Sequence, residues 1–286
     1  MNLGRLAYQV RHSRFLEGFE GLWNFARPAY KKLLLAASGG KGVFARVNGV
    51  DQFWFVNRHS YEITWEPEEY AALDRLIRPG TTVVDAGAHD GLYTLALAKR
   101  VGPAGRVHAF EPSPDTFEIL QANCRNNGFA DRVVAENCLV GEFEGEADFQ
   151  WVPGEASPLN TATGKVDHLA SLAARTIRRP MITLDAYCAR RGIRPDLIKM
   201  DVEGFELNLI RGARETLRQN EGLILLMELH PKSLERLGHS VAELVDCLAG
   251  SGCETVSLDG GPLTPIPPDC DSTFNFPALA RRRAAR

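Results

Sequence analysis

Acidic residues recur at particular places in this chain. They stand in Asp85-Ala86-Gly87-Ala88-His89-Asp90-Gly91, Glu111-Pro112, Glu136-Asn137-Cys138, Asp201-Val202-Glu203-Gly204 and Glu228-Leu229-His230. Each group closes or follows a run rich in Val, Ile, Leu, Ala or Phe, the pattern of a buried strand. The first group is glycine-rich and opens a helical pattern, so a ligand can approach its backbone closely. Glu111 follows Gly91 by 20 residues, the spacing at which a carboxylate meets ribose hydroxyls in nucleotide-binding βαβ units. An acid is needed there because a carboxylate accepts both hydroxyl protons. Asp85 discriminates between nucleotides. A pyrophosphate drawn to the helix N-terminus would meet an unwelcome negative charge, whereas a cofactor carrying an ammonium and a sulfonium, such as S-adenosylmethionine, would not. The loop is not a strict G-x-G-x-x-G. An NAD(P)-dependent oxidoreductase is therefore the alternative reading, and a non-catalytic scaffold on a cofactor fold is the third.

With a sulfonium donor, the acceptor oxygen has to be aligned and has to lose its proton. Alignment accounts for roughly 7–11 kcal/mol of barrier in well-oriented systems, and a general base adds about 10²–10⁴-fold. His230, at the end of a predicted strand, is the leading candidate base, because an unperturbed imidazole titrates near 6.5. Glu228, two residues away on the same strand face, is expected to orient the ring. Asp201 is the alternative base. Asp201, Glu203 and His230 also make a plausible ligand set for Mg²⁺. The expectation is nonetheless that no metal is needed: Glu203 suits the dipole of the helix it opens, and Glu228 suits backbone donors. His12, His59, His108, His168 and His239 have no motif around them and read as surface or structural residues.

The elements that must position these groups follow from periodicity. Strands are expected at 81–88, 106–112, 132–141, 196–202, 222–230, 254–259 and 272–279, with strand-like pieces at 147–152 and 181–184. Between them lie helical patterns: 92–99, a helix with Ser113 at its N-cap and Pro114 at its first position, a helix whose face carries Phe205, Leu209, Ala213 and Leu217, and 241–250. Alternating strands and helices predict an α/β fold, a parallel sheet with helices on both faces. Ahead of it, Asn48-Gly49 between two Val- and Phe-rich runs predicts a hairpin, and Pro67 opens a helix with Tyr70, Leu73 and Ile77 on one face. Residues 1–40 read as a basic amphipathic helix. The organisation expected is an N-terminal extension over 1–60 and a main domain over 61–286, with a variable insertion near 142–180.

Composition narrows the class. The 286 residues are 44% hydrophobic and 24% charged, the profile of a globular chain. A net charge of −3 exerts no general pull on nucleic acid or an anionic membrane. The basic tail from Arg281 to Arg286 reads as a solvated end. The six cysteines are scattered, with no C-x-x-C, which argues against a zinc knuckle or a disulfide scaffold and for a reducing cytoplasm. Neither a secretory signal nor a transmembrane run is legible. A homo-oligomer formed through the N-terminal extension is compatible with the amphipathic start.

VVDAGAHDGLYTLALA (83–98), VHAFEPSPDTFEIL (107–120), TLDAYC (183–188), LIKMDVEGFELNLIRGA (197–213) and LMELHP (226–231) resemble the successive blocks of FkbM-family S-adenosylmethionine-dependent methyltransferases. The resemblance covers about residues 60–276. It implies a class I methyltransferase (Rossmann-like) fold: a seven-stranded, mostly parallel sheet with one reversed strand near the carboxyl end. It also implies O-methylation of a hydroxyl on a small molecule, sugar or natural-product acceptor. By the same resemblance, Asp85, Gly87, Ala88, Tyr93 and Thr94 hold the methionine end of the cofactor, and Glu111 holds the ribose. Asn137 and Cys138 lie by the adenine, and Asp201 closes the pocket beside the methyl. His89 departs from the Asn usual in the family.

Overall fold

The computed structural model describes residues 32–153, 174–258 and 276–282. Most of the expected amphipathic start, His12, His168, Cys270 and the middle of the expected insertion lie outside the described residues.

The hairpin comes first. Strands β1 (Val43–Val47) and β2 (Asp51–Phe55) pair antiparallel, Val47 facing Asp51, and β3 (Glu62–Ile63) adds in parallel to β1. Asn48 and Gly49 both take positive φ, as their turn requires, but the loop includes Val50, whose N–H donates to Val47. Helix α1 (Pro67–Leu76) buries Tyr70 and Leu73.

The main sheet then winds up. Strands β4 (Thr82–Ala86), β5 (Arg106–Phe110) and β6 (Val133–Glu136) are joined by α2 (Leu92–Val101) and α3 (Pro114–Asn126). Further along come α4 (Leu184–Arg191), β10 (Leu197–Met200), α5 (Glu206–Arg211), α6 (Arg214–Gln219) and β11 (Ile224–Leu229). Helices α7 (Pro231–Arg236) and α8 (Val241–Gly250) lead to β12 (Cys253–Val256) and β13 (Phe276–Arg282). The sheet order is β12-β13-β11-β10-β4-β5-β6. Only β13 runs antiparallel to its neighbours β11 and β12. This is the class I arrangement expected, reversed strand included. The strand order turns back between β10 and β4, so the crevice for a ligand opens there.

Alternate residues of each strand feed two cores. Val83 packs with α1, α2 and the N-terminal strands; Val84 packs with α4, α5, α6 and α8. Each large side chain fully buried in this way contributes about 1.5–3 kcal/mol.

Two expectations are corrected. The run 132–141 is not one strand: the chain leaves the sheet at Asn137, and β7 (Leu139–Val140) joins a separate sheet with β8 (Gly145–Trp151) and β9 (Arg175–Ile182). The exit is pinned by side chains, since Asn137 Nδ2 donates to the Glu111 carbonyl and Arg179 donates to the Asn137 carbonyl. The helix carrying Phe205 to Leu217 is broken in two. Asp185 of α4 accepts from the backbone N–H groups of Glu215 and Thr216, so it caps a new helix start there. Helix α7 was not foreseen; His230 precedes Pro231, which opens it.

Candidate active site

At the C-terminal ends of β4, β5, β10 and β11 lies a cavity of about 590 Å³, a size typical of small-ligand sites. Its β4 wall is the glycine loop. Gly87 has φ of 80°, and a Cβ there would lie 1.7 Å from the Asp201 carbonyl oxygen. Only glycine permits the two strand ends to approach so closely. The Gly87 and Ala88 N–H groups donate to the Phe110 carbonyl, which ties the loop to β5. Glu111 is buried, and its carboxylate accepts from the backbone N–H groups of His89 and Ser113. Burial raises its pKa to about 6, against the lowering effect of His89 and these amides.

Of the residues the sequence reading assigned to the cofactor, Gly87, Ala88, Tyr93, Glu111, Cys138 and Asp201 line the cavity. Asp85 and Thr94 are fully buried and not on its wall: Thr94 Oγ1 donates to Asp85 Oδ2 at 2.6 Å, while Asp85 Oδ1 has no hydrogen-bond partner among the described residues. Burial raises the Asp85 pKa, opposed by Lys199. Asn137 is not on the wall either; its side chain is held by Glu111 and Arg179.

The β10–β11 wall is crowded with charge. Lys199, buried on β10, donates to Asp201 Oδ2 at 3.1 Å and lies 4.5 Å from the centroid of the Tyr93 ring. Burial works against its charge, but Asp201 and Asp85 hold its pKa above the usual lysine range. The Asp201 carboxyl is lowered: burial opposes the charge, and Lys199 and His230 outweigh it. Glu203 and Glu228 are raised, to about 7 and about 8, by burial first and then by neighbouring carboxylates.

His230 requires a correction. The partner of its Nδ1 is Glu206 Oε1, at 2.7 Å, and not Glu228. Its Nε2 faces Asp201, Glu203 and Glu228 at 3.6–3.7 Å. Burial would lower its pKa, but Glu206, Glu203 and Asp201 together raise it to about 9. The ring is therefore an imidazolium at neutral pH, with no lone pair to take a proton, and it is not on the cavity wall. Glu206 escaped the sequence reading because nothing in the spacing shows that it turns back toward His230. Asp201, Glu203 and His230 do come together, each offering an atom within 4.8 Å of the others. The imidazolium already supplies a cation among these carboxylates.

The sequence reading also missed the third wall. Asn57, Arg58, His59, Trp65 and Glu66, all before β4, line the cavity. Glu66 holds left-handed backbone (φ 38°) and accepts from the Tyr93 hydroxyl at 2.7 Å. Strain of this kind persists where surrounding structure enforces it. Glu66, Asp201 and Glu228 bring carboxylate oxygens within 4.8 Å of one another. Lys199 stood in plain view in Lys-x-Asp-x-Glu-Gly; Glu66 and Arg58 had no local signal.

The model of the methyltransferase FkbM domain matches residues 85–253, more than half of the chain. The chain belongs to the FkbM methyltransferase family. Among its relatives, 31-O-demethyl-FK506 methyltransferase FkbM of Streptomyces tacrolimicus is 27% identical over 210 residues, 63% of this chain and 75% of that protein. Hexuronic acid methyltransferase AglP of Haloferax volcanii is 22% identical over 213 residues, 73% of this chain and 81% of that one. The 2-O-methyltransferase NoeI of Sinorhizobium fredii is 28% identical over 153 residues, 50% of this chain and 61% of that one. A SAM-dependent O-methyltransferase from Thermotoga maritima is a solved structure with similarity: TM-score 0.45 at 15% identity, over 78% of this chain and 67% of that one. This FkbM-family chain is an S-adenosylmethionine-dependent methyltransferase. Its residues fit that cofactor: a buried carboxylate on Glu111 at the cavity wall and a glycine-only close approach at Gly87. Among the described residues, no helix is long and apolar enough to cross a membrane.

Proposed function

We propose that this enzyme methylates a hydroxyl oxygen of a small-molecule or glycan acceptor, with Gly87, Ala88 and Tyr93 around the methionine end of the cofactor and Glu111 on its ribose. Asp85 and Thr94 support that end from beneath, and Cys138 lies toward the adenine with Asn137 bracing the turn behind it. The observation that carries this reading is the meeting of the two strand ends at Gly87 and Asp201. It sets the Glu111 pocket on one side of the crevice and the Lys199–Asp201–Glu228 wall on the other.

S-adenosylmethionine supplies the methyl group already activated on sulfur. The chain has to align the acceptor oxygen, exclude water and receive a proton. Asp201, on the cavity wall at the switch point, is the candidate proton acceptor that the sequence reading leaves once His230 is an imidazolium. Glu228 stands beside it. The His230 imidazolium faces Asp201, Glu203 and Glu228, favours the charged form of Asp201, and is itself anchored on Glu206. Relatives named as methyltransferases of a hexuronic acid and of 31-O-demethyl-FK506 support a hydroxyl-bearing acceptor.

The test has two stages. Titration calorimetry with S-adenosylhomocysteine and with NADH separates a methyltransferase from an oxidoreductase; heat with NADH alone would reverse the reading. Labelled methyl transfer to a panel of sugars and polyketides then identifies the acceptor atom. The label should survive mild alkali as an ether, whereas release as methanol would mean a carboxyl acceptor.

A further inference from the structure

Arg58 lies outside the residues matched by the family model, on the segment after β2, yet it reaches the glycine loop. Its Nε donates to Asp90 Oδ2 at 2.6 Å. Asp90 is buried and also accepts from Asn57 Nδ2 at 2.8 Å. The guanidinium carbon sits 5.8 Å from the Phe55 ring centroid and 5.9 Å from that of Trp65. The Nε position is therefore taken, and two aromatic rings flank the group. The terminal Nη1 and Nη2 make no hydrogen bond among the described residues, and the side chain remains 24% exposed on the cavity wall. A guanidinium held in this way presents a planar fork matched to a second carboxylate.

We propose that Arg58 binds the α-carboxylate at the methionine end of S-adenosylmethionine through Nη1 and Nη2. This rests on the cofactor placement given above. With the ribose on Glu111 and the adenine toward β6, the amino-acid end extends across the loop Gly87–Asp90, where Arg58 is moored. Asp90 then acts as a positioning residue: it fixes the Nε edge and leaves the other edge to the ligand. A carboxylate on the acceptor would offer the same chemistry, and the experiment distinguishes the two sources.

The measurement is calorimetric binding of S-adenosylhomocysteine and of its decarboxylated analogue, which keeps the amine and loses the carboxylate. Wild type should bind the intact ligand about 10–100-fold more tightly, the range of a charge-assisted contact. Arg58→Met should reduce that preference to near unity, mainly by weakening the intact ligand. Since Arg58→Met leaves Asp90 buried and undercompensated, Arg58→Lys serves as the second variant: it keeps a cation near Asp90 and removes the fork, so most of the preference should again be lost. Retention of the full preference by a folded Arg58→Lys or Arg58→Met protein overturns the assignment, as does equal weakening of both ligands. An acceptor-carboxylate role is then indicated if Arg58→Lys raises KM for the acceptor alone. Failure of wild type to bind S-adenosylhomocysteine at all would instead refute the cofactor reading on which the assignment rests.

Discussion

On the β4–β5 side of the cavity the backbone shapes the site; on the β10–β11 side, four carboxylates crowd one imidazolium. Around Gly87 the shape comes from positive φ and a close passage of main chains, and Glu111 has its charge met by two amides. Around His230 the shape comes from acidic side chains drawn from the loop after β10, α5 and β11, gathered about one imidazolium. The first kind of site tolerates no change of shape, and Glu111, raised to about 6, titrates below the neutral range. The second tolerates small changes of shape but depends on every proton.

Gly87→Ala should have the largest effect. The added Cβ meets a backbone carbonyl at 1.7 Å and the residue is left at φ 80°, so a loss of about 4 kcal/mol or more is expected. Urea denaturation measures it, and a loss below about 1 kcal/mol would show that the loop can move away from β10.

His230→Ala comes next. It leaves Glu206, which is fully buried, without its ion partner. A loss of about 3 kcal/mol in stability is expected, with cofactor affinity in the remaining folded protein little changed. A variant of wild-type stability whose kcat alone has collapsed would restore His230 as the base.

Glu111→Ala should weaken S-adenosylmethionine binding by about 1.5–3 kcal/mol while the fold persists. Unchanged affinity by calorimetry would remove Glu111 from the ribose site.

The two sides should also differ in their response to pH. The folded values of His230 (about 9), Glu203 (about 7) and Glu228 (about 8) all lie above their ordinary ones. Each then contributes stability that is full below its unfolded value, near 6.5 for His and 4.5 for Glu, and is lost as pH rises through the folded value. The melting temperature of the ligand-free protein should fall steadily from pH 6.5 to 9. Glu206→Gln should flatten the upper part of that slope, and a slope unaffected by this change would place its origin elsewhere.

The smallest expected effect is that of EDTA. With an imidazolium already among Asp201, Glu203 and Glu228, turnover should be unchanged by chelation. Loss of activity that Mg²⁺ restores would make Asp201, Glu203 and His230 ligands and replace the proton by a metal.

The glycine loop, Glu111 at its spacing, the parallel strands and the Lys-x-Asp-x-Glu-Gly motif were legible because each is local. A positive φ, a strand end and a helix cap depend on residues a few positions apart, and hydrophobic period reports which faces are buried. The split of 132–141 between two sheets was not legible, because Arg179 decides it from a distant strand. The break before α6 depends on Asp185 in another helix. The sequence alone therefore determined the family, the sheet and the half of the cavity built on backbone. Only the tertiary structure decided that His230 is paired with Glu206 and charged, that Asp85 and Thr94 lie beneath the wall, and that Arg58 and Glu66 enter the cavity from before β4. Charges interact through space and titrate according to burial and to all their neighbours at once, and neither is written in the order of residues along a chain.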